Sequence, residues 1–219
     1  MFGSNDPLDF IDHIRENQDQ FWELFSEHMS LVLYATLIGL VIAIPLAILT
    51  SRIKVLDKPM TLIANTGQAI PSLAVLALAL PLFGIGFKPA LFALSLLAIL
   101  PIFLNTLVGI NSVDAAVVDA ARGMGTSDIQ LLWQVQLPLA MPFLFAGVQT
   151  AVVLSIGGAT LAAYIGAGGF GDWILQGLAV RNFPILLAGA VPVAVLAMIA
   201  EIVLGWVRRL VVPKGLTVS

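Results

Sequence analysis

Apolar positions along this chain gather into five long runs, about Met29 to Thr50, Leu62 to Phe83, Phe87 to Ile110, Ala140 to Ile165 and Leu186 to Val207. An α-helix rises 1.5 Å per residue, so roughly 20 apolar residues cross a hydrocarbon layer about 30 Å thick, and each run has that length. The pattern predicts an all-α membrane protein with five core transmembrane helices. Pro45, Pro71, Pro81, Pro101 and Pro192 fall inside the runs. Spanning helices accept proline where neighbours or water satisfy the freed carbonyls, so kinked and mutually packed spans are expected.

Polar residues between the runs set an orientation. With the N-terminus outside, Arg52, Lys54, Lys58, Arg122, Arg208, Arg209 and Lys214 face the cytoplasm, and Arg15, Lys88 and Arg181 remain outside. That excess fits the positive-inside bias. An odd number of spans then leaves the C-terminus inside. The expected organisation is an acidic extracytoplasmic segment (1–28), a transmembrane domain (29–209) with a cytoplasmic loop (111–139), and a cytoplasmic tail (210–219). The first segment carries Asp6, Asp9, Asp12, Glu16, Asp19, Glu23 and Glu27 and lacks the basic start of a signal peptide. Its Ile11, Ile14, Phe21, Trp22 and Phe25 suit either a helix along the outer surface or a solvated lead into the first span.

Composition narrows the chemistry. Hydrophobic residues make up 59% and charged residues 11% of the 219, far from the soluble norm. Without cysteine there is neither a disulfide nor a thiolate metal site. His13 and His28 both lie in the polar N-terminal stretch, so no histidine-based site is expected inside the membrane. No phosphate-binding G-x-x-x-x-G-K-[ST], nucleophile elbow or zinc-ligand cluster occurs, and an enzyme would have no residues to use. Gly166, Gly168 and Gly171 satisfy G-x-G-x-x-G, but they follow a membrane helix rather than a strand. A tight outer loop whose backbone approaches a neighbour is expected there.

Polar groups within spans are costly and become candidates for lining a pathway: Gln68, Ser72, Asn105 and Thr160, with Asn65, Thr106, Gln149, Thr150 and Ser155 beside them. Interhelical hydrogen bonding is the plainer role for each Ser and Thr, whereas Gln68 and Asn105 suit either role because amides need more partners. Tyr164, near the expected outer mouth, joins the candidates. Glu201 lies one heptad before Arg208 and is expected to snorkel toward it, the alternative being a substrate or proton role. Trp173 and Trp206 are expected in the interfacial belt. The small residues of Ser155-Ile156-Gly157-Gly158-Ala159-Thr160 suit close helix packing, within the chain or at a subunit interface.

The loop from Asn111 to Leu139 is the informative segment. Val113 to Arg122 is Ala-rich and helix-prone, Gly123 and Gly125 break it, and Ser127-Asp128-Ile129-Gln130 reads as a capping box opening a second short helix that Leu137-Pro138 stops. Apolar Ile129, Leu131, Leu132, Trp133 and Val135 are then available to dock on a partner.

Asp119-Ala120-Ala121, Gly125 after three intervening residues, and Val135-Gln136-Leu137-Pro138 resemble the EAA loop of ABC importer permeases, with Asp119 for the usual glutamate and Val135 for isoleucine. The resemblance implies a type I importer permease (MetI-like) fold. It also implies a coupling helix gripped by a cytoplasmic ATPase present in two copies, which binds the ATP and Mg. No cofactor is expected in this chain, and no nucleic acid. A second permease subunit, identical or homologous, and an extracytoplasmic solute-binding protein are implied with it, in the cytoplasmic membrane of a prokaryote.

Gln68-Ala69-Ile70-Pro71-Ser72-Leu73-Ala74, Phe83-Gly84-Ile85-Gly86, Ala120 to Gly125 and Thr160 to Asp172 resemble, more narrowly, the osmoprotectant permeases that import glycine betaine, choline or carnitine. One departure is Leu104, where family members often carry arginine before the asparagine at Asn105. A permease for another small solute such as methionine would share the loop. A secondary transporter would instead need an inverted repeat and coupling-ion residues, and neither is visible. Nor is an aromatic cage for a quaternary ammonium group, so selectivity is expected to reside mainly in the binding protein.

Overall fold

A computed structural model describes residues 9–211, and these are helical throughout with short connections. Residues 1–8 and 212–219, which include Asp6, Lys214 and most of the expected tail, lie outside the described residues. The helices are α1 (Phe10–Glu16), α2 (Gln18–Arg52), α3 (Lys54–Gln68), α4 (Ser72–Phe83), α5 (Phe87–Asn111), α6 (Ala115–Gly123), α7 (Asp128–Leu131), α8 (Leu137–Ala162), α9 (Gly171–Val180) and α10 (Phe183–Val211). By length and composition α2, α5, the run from Asp128 to Ile165 and α10 can each cross a membrane, and α3 with α4 forms a fifth candidate.

The core forms where α2, α5 and α8 meet. Leu31, Val32 and Ala35 pack on Ala90, Ala93 and Leu94, with Ile156 and Ala159 closing the cluster. Further along, Ala43, Ala47, Ala98, Ile102 and Ala151 continue it. Small residues set the spacing. A Cβ added at Gly147 would lie 2.8 Å from the Pro101 carbonyl and 2.8 Å from the Asn105 Cβ, so α5 and α8 touch backbone to backbone. Gly158 of the small-residue cluster serves the same contact against Leu94, whereas Gly157 meets nothing.

Several expectations need correction. The first spanning helix, α2, begins at Gln18 rather than near Met29, because Leu24 and its neighbours Phe21 and Phe25 are held by Phe170 and Trp173. His28 is therefore not in a polar stretch but fully buried within α2. The second run is two helices bent by 98° at Ala69-Ile70-Pro71. Pro71 disfavours helical backbone at Ile70 and cannot donate to the ladder, so the helix ends and restarts at Ser72. Leu137-Pro138 does not stop a helix either. A π-helical turn, Leu132–Gln136, precedes it, and the Leu137 N–H reaches back to the Leu132 carbonyl. That wider turn carries α7 into α8 past a residue with no N–H. α9 has no counterpart among the apolar runs, because its ten residues, Gly171–Val180, are too few to cross a membrane.

Several membrane-embedded hydroxyls bond within their own helix, while Thr36, Thr50 and Thr106 are buried with no hydrogen-bond partner among the described residues. Thr150 donates to the Ala146 carbonyl, Thr160 to Ile156 and Ser95 to Leu91, which satisfies the group without a partner helix.

Candidate functional site

The segment joining α5 to α8 builds an elbow. Asp114 caps α6 by accepting the Ala116 N–H at 2.9 Å, and α7 opens on a complete capping box: Ser127 Oγ accepts from the Gln130 N–H, while Gln130 Oε1 accepts from the Ser127 N–H at 2.9 Å. Between the two helices Gly125 has φ +85°, a left-handed backbone that a side chain would strain. Thr126 folds over it by donating to the Ala121 carbonyl at 2.7 Å.

This geometry sorts the residues of the loop. Ala121 and Leu137 are buried, Val135 and Pro138 are half-buried, and Asp119, Ala120 and Gly125 face out. Leu131 and Leu132, expected to be free for docking, are buried, Leu132 beside Ile110 and Ala140. Met124 (80% exposed), Ile129 (72%) and Trp133 (63%) form the apolar outer surface of the elbow. Asp119 makes no hydrogen bond among the described residues, and Arg122 pairs loosely with Asp128 at 3.6 Å in the open.

Two ties to this elbow escaped sequence reasoning. Arg52, at the end of α2, donates to Gln136 Oε1 at 2.9 Å and to the Asp128 carbonyl at 3.3 Å. Asn111, at the end of α5, donates to Asp57 Oδ2 at 3.1 Å and so fastens α3. Their only sequence signal is a polar residue at a span end, which every span has. The elbow is thus joined to α2 through Arg52 and to α8 through continuous helix.

A cleft of about 460 Å³ opens at the bend between α3 and α4, lined by Gln68, Ser72, Leu100, Val153 and Gly157 among others. Irregular backbone at membrane depth is tolerated where it is buried or lines a cavity. Of the expected pathway residues, only Gln68 and Ser72 come together here. Asn105 donates to the Pro101 carbonyl at 2.9 Å in the α5–α8 contact, Thr160 sits higher on α8, and Tyr164 is exposed on the 3₁₀ turn that follows it.

At the other end of the bundle the Gly-rich loop closes a cap. Gly166, Gly168 and Gly169 all have positive φ, and the Gly169 N–H donates to Glu27 Oε2 at 2.8 Å. Trp173 is fully buried against His13 and Phe21, so it is no belt residue; Trp206 is exposed on α10. Burial pushes the Asp172 carboxyl above its ordinary value, with Glu27 adding to the shift. Burial also holds the His13 imidazole below 6.5, against an opposite pull from Glu16. Glu201 makes its hydrogen bond to Gln149, which donates across from α8, and not to Arg208.

Residues 35–214 match the family described as binding-protein-dependent transport system inner membrane component. The chain belongs to that family. It is 40% identical over 190 residues to the glycine betaine/carnitine/choline transport system permease protein OpuCB of Bacillus subtilis, covering 87% of this chain and 88% of the relative. It is 38% identical over 204 residues to the carnitine transport permease protein OpuCD of Listeria monocytogenes, covering 93% and 92%. The osmoprotectant import permease protein OsmY of Salmonella typhimurium is 38% identical over 205 residues, 93% of this chain and 87% of that one. A chain of the inward-facing MetNI methionine ABC transporter superposes with TM-score 0.77 at 21% identity, over 85% of this chain and 94% of its own. A chain of an amino acid ABC transporter with histidines superposes at 0.76 and 19%, over 92% and 98%. These two share the all-helical, MetI-like fold with this inner membrane component.

Proposed function

We propose that this permease carries quaternary ammonium osmoprotectants, glycine betaine, carnitine or choline, across the cytoplasmic membrane as one subunit of an ATP-driven importer. The observation that carries the substrate class is identity near 38–40% over most of the chain to permeases named for those solutes. The N-terminus and the Gly-rich cap lie outside, the elbow and the C-terminus inside, and the bent α3–α4 pair counts as the fifth span. Two copies of a cytoplasmic ATPase grip the elbows of two permease subunits, identical or homologous, and a separate binding protein delivers the solute to the cap. ATP and Mg stay with the ATPase.

The mechanism follows from the ties at the elbow. Met124, Ile129 and Trp133 supply an apolar face of the kind that anchors an interface. When the ATPases close, the elbow moves as a capped unit, pulling α2 through Arg52 and α8 through the π-turn. The α3–α4 cleft between them, with Gln68 and Ser72, then opens to one side or the other.

The test is reconstitution of this chain with its ATPase and binding protein, followed by uptake of labelled glycine betaine, choline, carnitine and methionine. Uptake of methionine alone would replace the substrate reading. Gly125→Asp places a side chain at φ +85° in the elbow, and uptake is expected to fall about tenfold or more while the assembly persists. Unchanged uptake and ATP turnover in that variant would overturn the coupling role.

A further inference from the structure

Glu201 sets a problem that the packing of the bundle does not solve. It lies within α10 on the outer surface of the chain, where a carboxylate facing lipid is costly. No cation neutralises it: among the described residues the ion pairs are Arg15 with Asp12 and Arg122 with Asp128. Its hydrogen bond comes from Gln149, near the middle of α8. A cleft of about 330 Å³ opens beside the pair, bounded also by Ala146, Thr150, Val153 and Leu154.

Val153 and Leu154 line the cleft at the α3–α4 bend as well. The two clefts therefore meet along one face of α8, on which Ala146, Gln149 or Thr150, Val153 and Gly157 recur at helical spacing. One wall of this continuous surface is Gln68 and Ser72, and the other is an unneutralised carboxylate.

We propose that Glu201 and Gln149 form a cation station on the solute path, where the quaternary ammonium group rests beside the carboxylate after leaving the bend. The substrate class rests on the reading given under Proposed function; the station itself rests on the cleft and the missing counter-charge. A quaternary ammonium group has no N–H to donate. Gln149 thus keeps its bond to Glu201 while the passing cation balances the charge. No aromatic ring lines this cleft, so the attraction is coulombic and releases its cargo, as a transit site must.

The chain has no cysteine, so Thr150→Cys gives it a single thiol at the station. In the assembled complex in proteoliposomes, the rate of modification by a trimethylammonium-bearing methanethiosulfonate is compared with that of a neutral one, each scaled to its rate with a free thiol. The cationic reagent is expected to be favoured about tenfold, with choline slowing it and Glu201→Gln in the same chain removing the preference. No modification by either reagent, or a preference that survives Glu201→Gln, overturns the station.

A second measurement reads transport. Glu201→Gln, isosteric and able to keep a hydrogen bond to Gln149, is expected to lower choline and glycine betaine uptake about fivefold or more, with Glu201→Asp restoring part. Co-purification of the ATPase with each variant reports assembly. Full uptake in Glu201→Gln overturns the station and leaves the substrate reading intact. A wild-type complex that moves neither solute overturns the substrate reading, while the thiol ratio still reports whether the carboxylate attracts cations.

Discussion

Trp173, beside the Gly-rich cap, is wholly enclosed, whereas Trp133, on the elbow, leaves 63% of its surface open. The cap completes itself: α1 and the start of α2 fold over α9 and α10, Glu27 accepts the Gly169 N–H, and Phe21, Phe170 and Trp173 fill the interior. The elbow has equally well-formed backbone, with both helices capped, yet it presents Met124, Ile129 and Trp133 to nothing. Ordered backbone under an uncovered apolar face marks a surface that another chain finishes. One end of the bundle is closed by its own side chains, and the other leaves open the face that the proposed function gives to the ATPase.

The sharpest way to break this contrast is to truncate the two tryptophans. Trp173→Ala removes a fully buried ring and is expected to cost about 3–5 kcal/mol, read as a fall in the unfolding midpoint of the purified permease. Trp133→Ala is expected to leave that midpoint within about 0.5 kcal/mol but to weaken ATPase capture by about 2 kcal/mol, near thirtyfold in affinity. Equal midpoint shifts would erase the distinction between the two ends.

Smaller changes sharpen it. Glu27→Gln weakens the charge-assisted bond to Gly169 and is expected to cost about 1–2 kcal/mol in the same unfolding measurement. Arg52→Ala removes the exposed tie between α2 and the elbow; it is expected to cost less than about 1 kcal/mol in stability. Its effect belongs to coupling, seen as ATP hydrolysis that no longer tracks uptake.

The smallest expected effect is a pH dependence confined to the cap. Burial lowers the His13 pKa in the fold, so the unfolded chain takes up its proton first as pH falls below 6.5. Stability contributed by neutral His13 is present above that value and declines as pH drops toward the lowered one. His13→Gln should flatten this part of the midpoint-against-pH curve. Asp172 acts with the opposite sign at lower pH: its raised pKa removes stability as pH climbs from 3.8 through the shifted value.

Much of this was legible in the chain itself, though not evenly. Ser127 to Gln130 predicted a capping box because the motif is local, a hydroxyl and an amide three residues apart, and both bonds are present. Gly125 was readable for the same reason. Pro71 and Pro138 look alike in sequence, yet one bends a helix pair by 98° and the other is absorbed by a π-turn. Trp173 reads as a belt residue only when α1 and α9 are unknown. Gln149 and Glu201 stand far apart in sequence, and nothing local favours that pairing over the one with Arg208.

Sequence alone determined the apolar runs, their caps and breaks, and the elbow motif, because each depends on residues within a few positions of one another. The tertiary structure decided which polar side chains share a cleft, which tryptophan is core, and how far the first helix extends. Those outcomes depend on which helices lie side by side, and a linear pattern of hydrophobicity carries no record of neighbours.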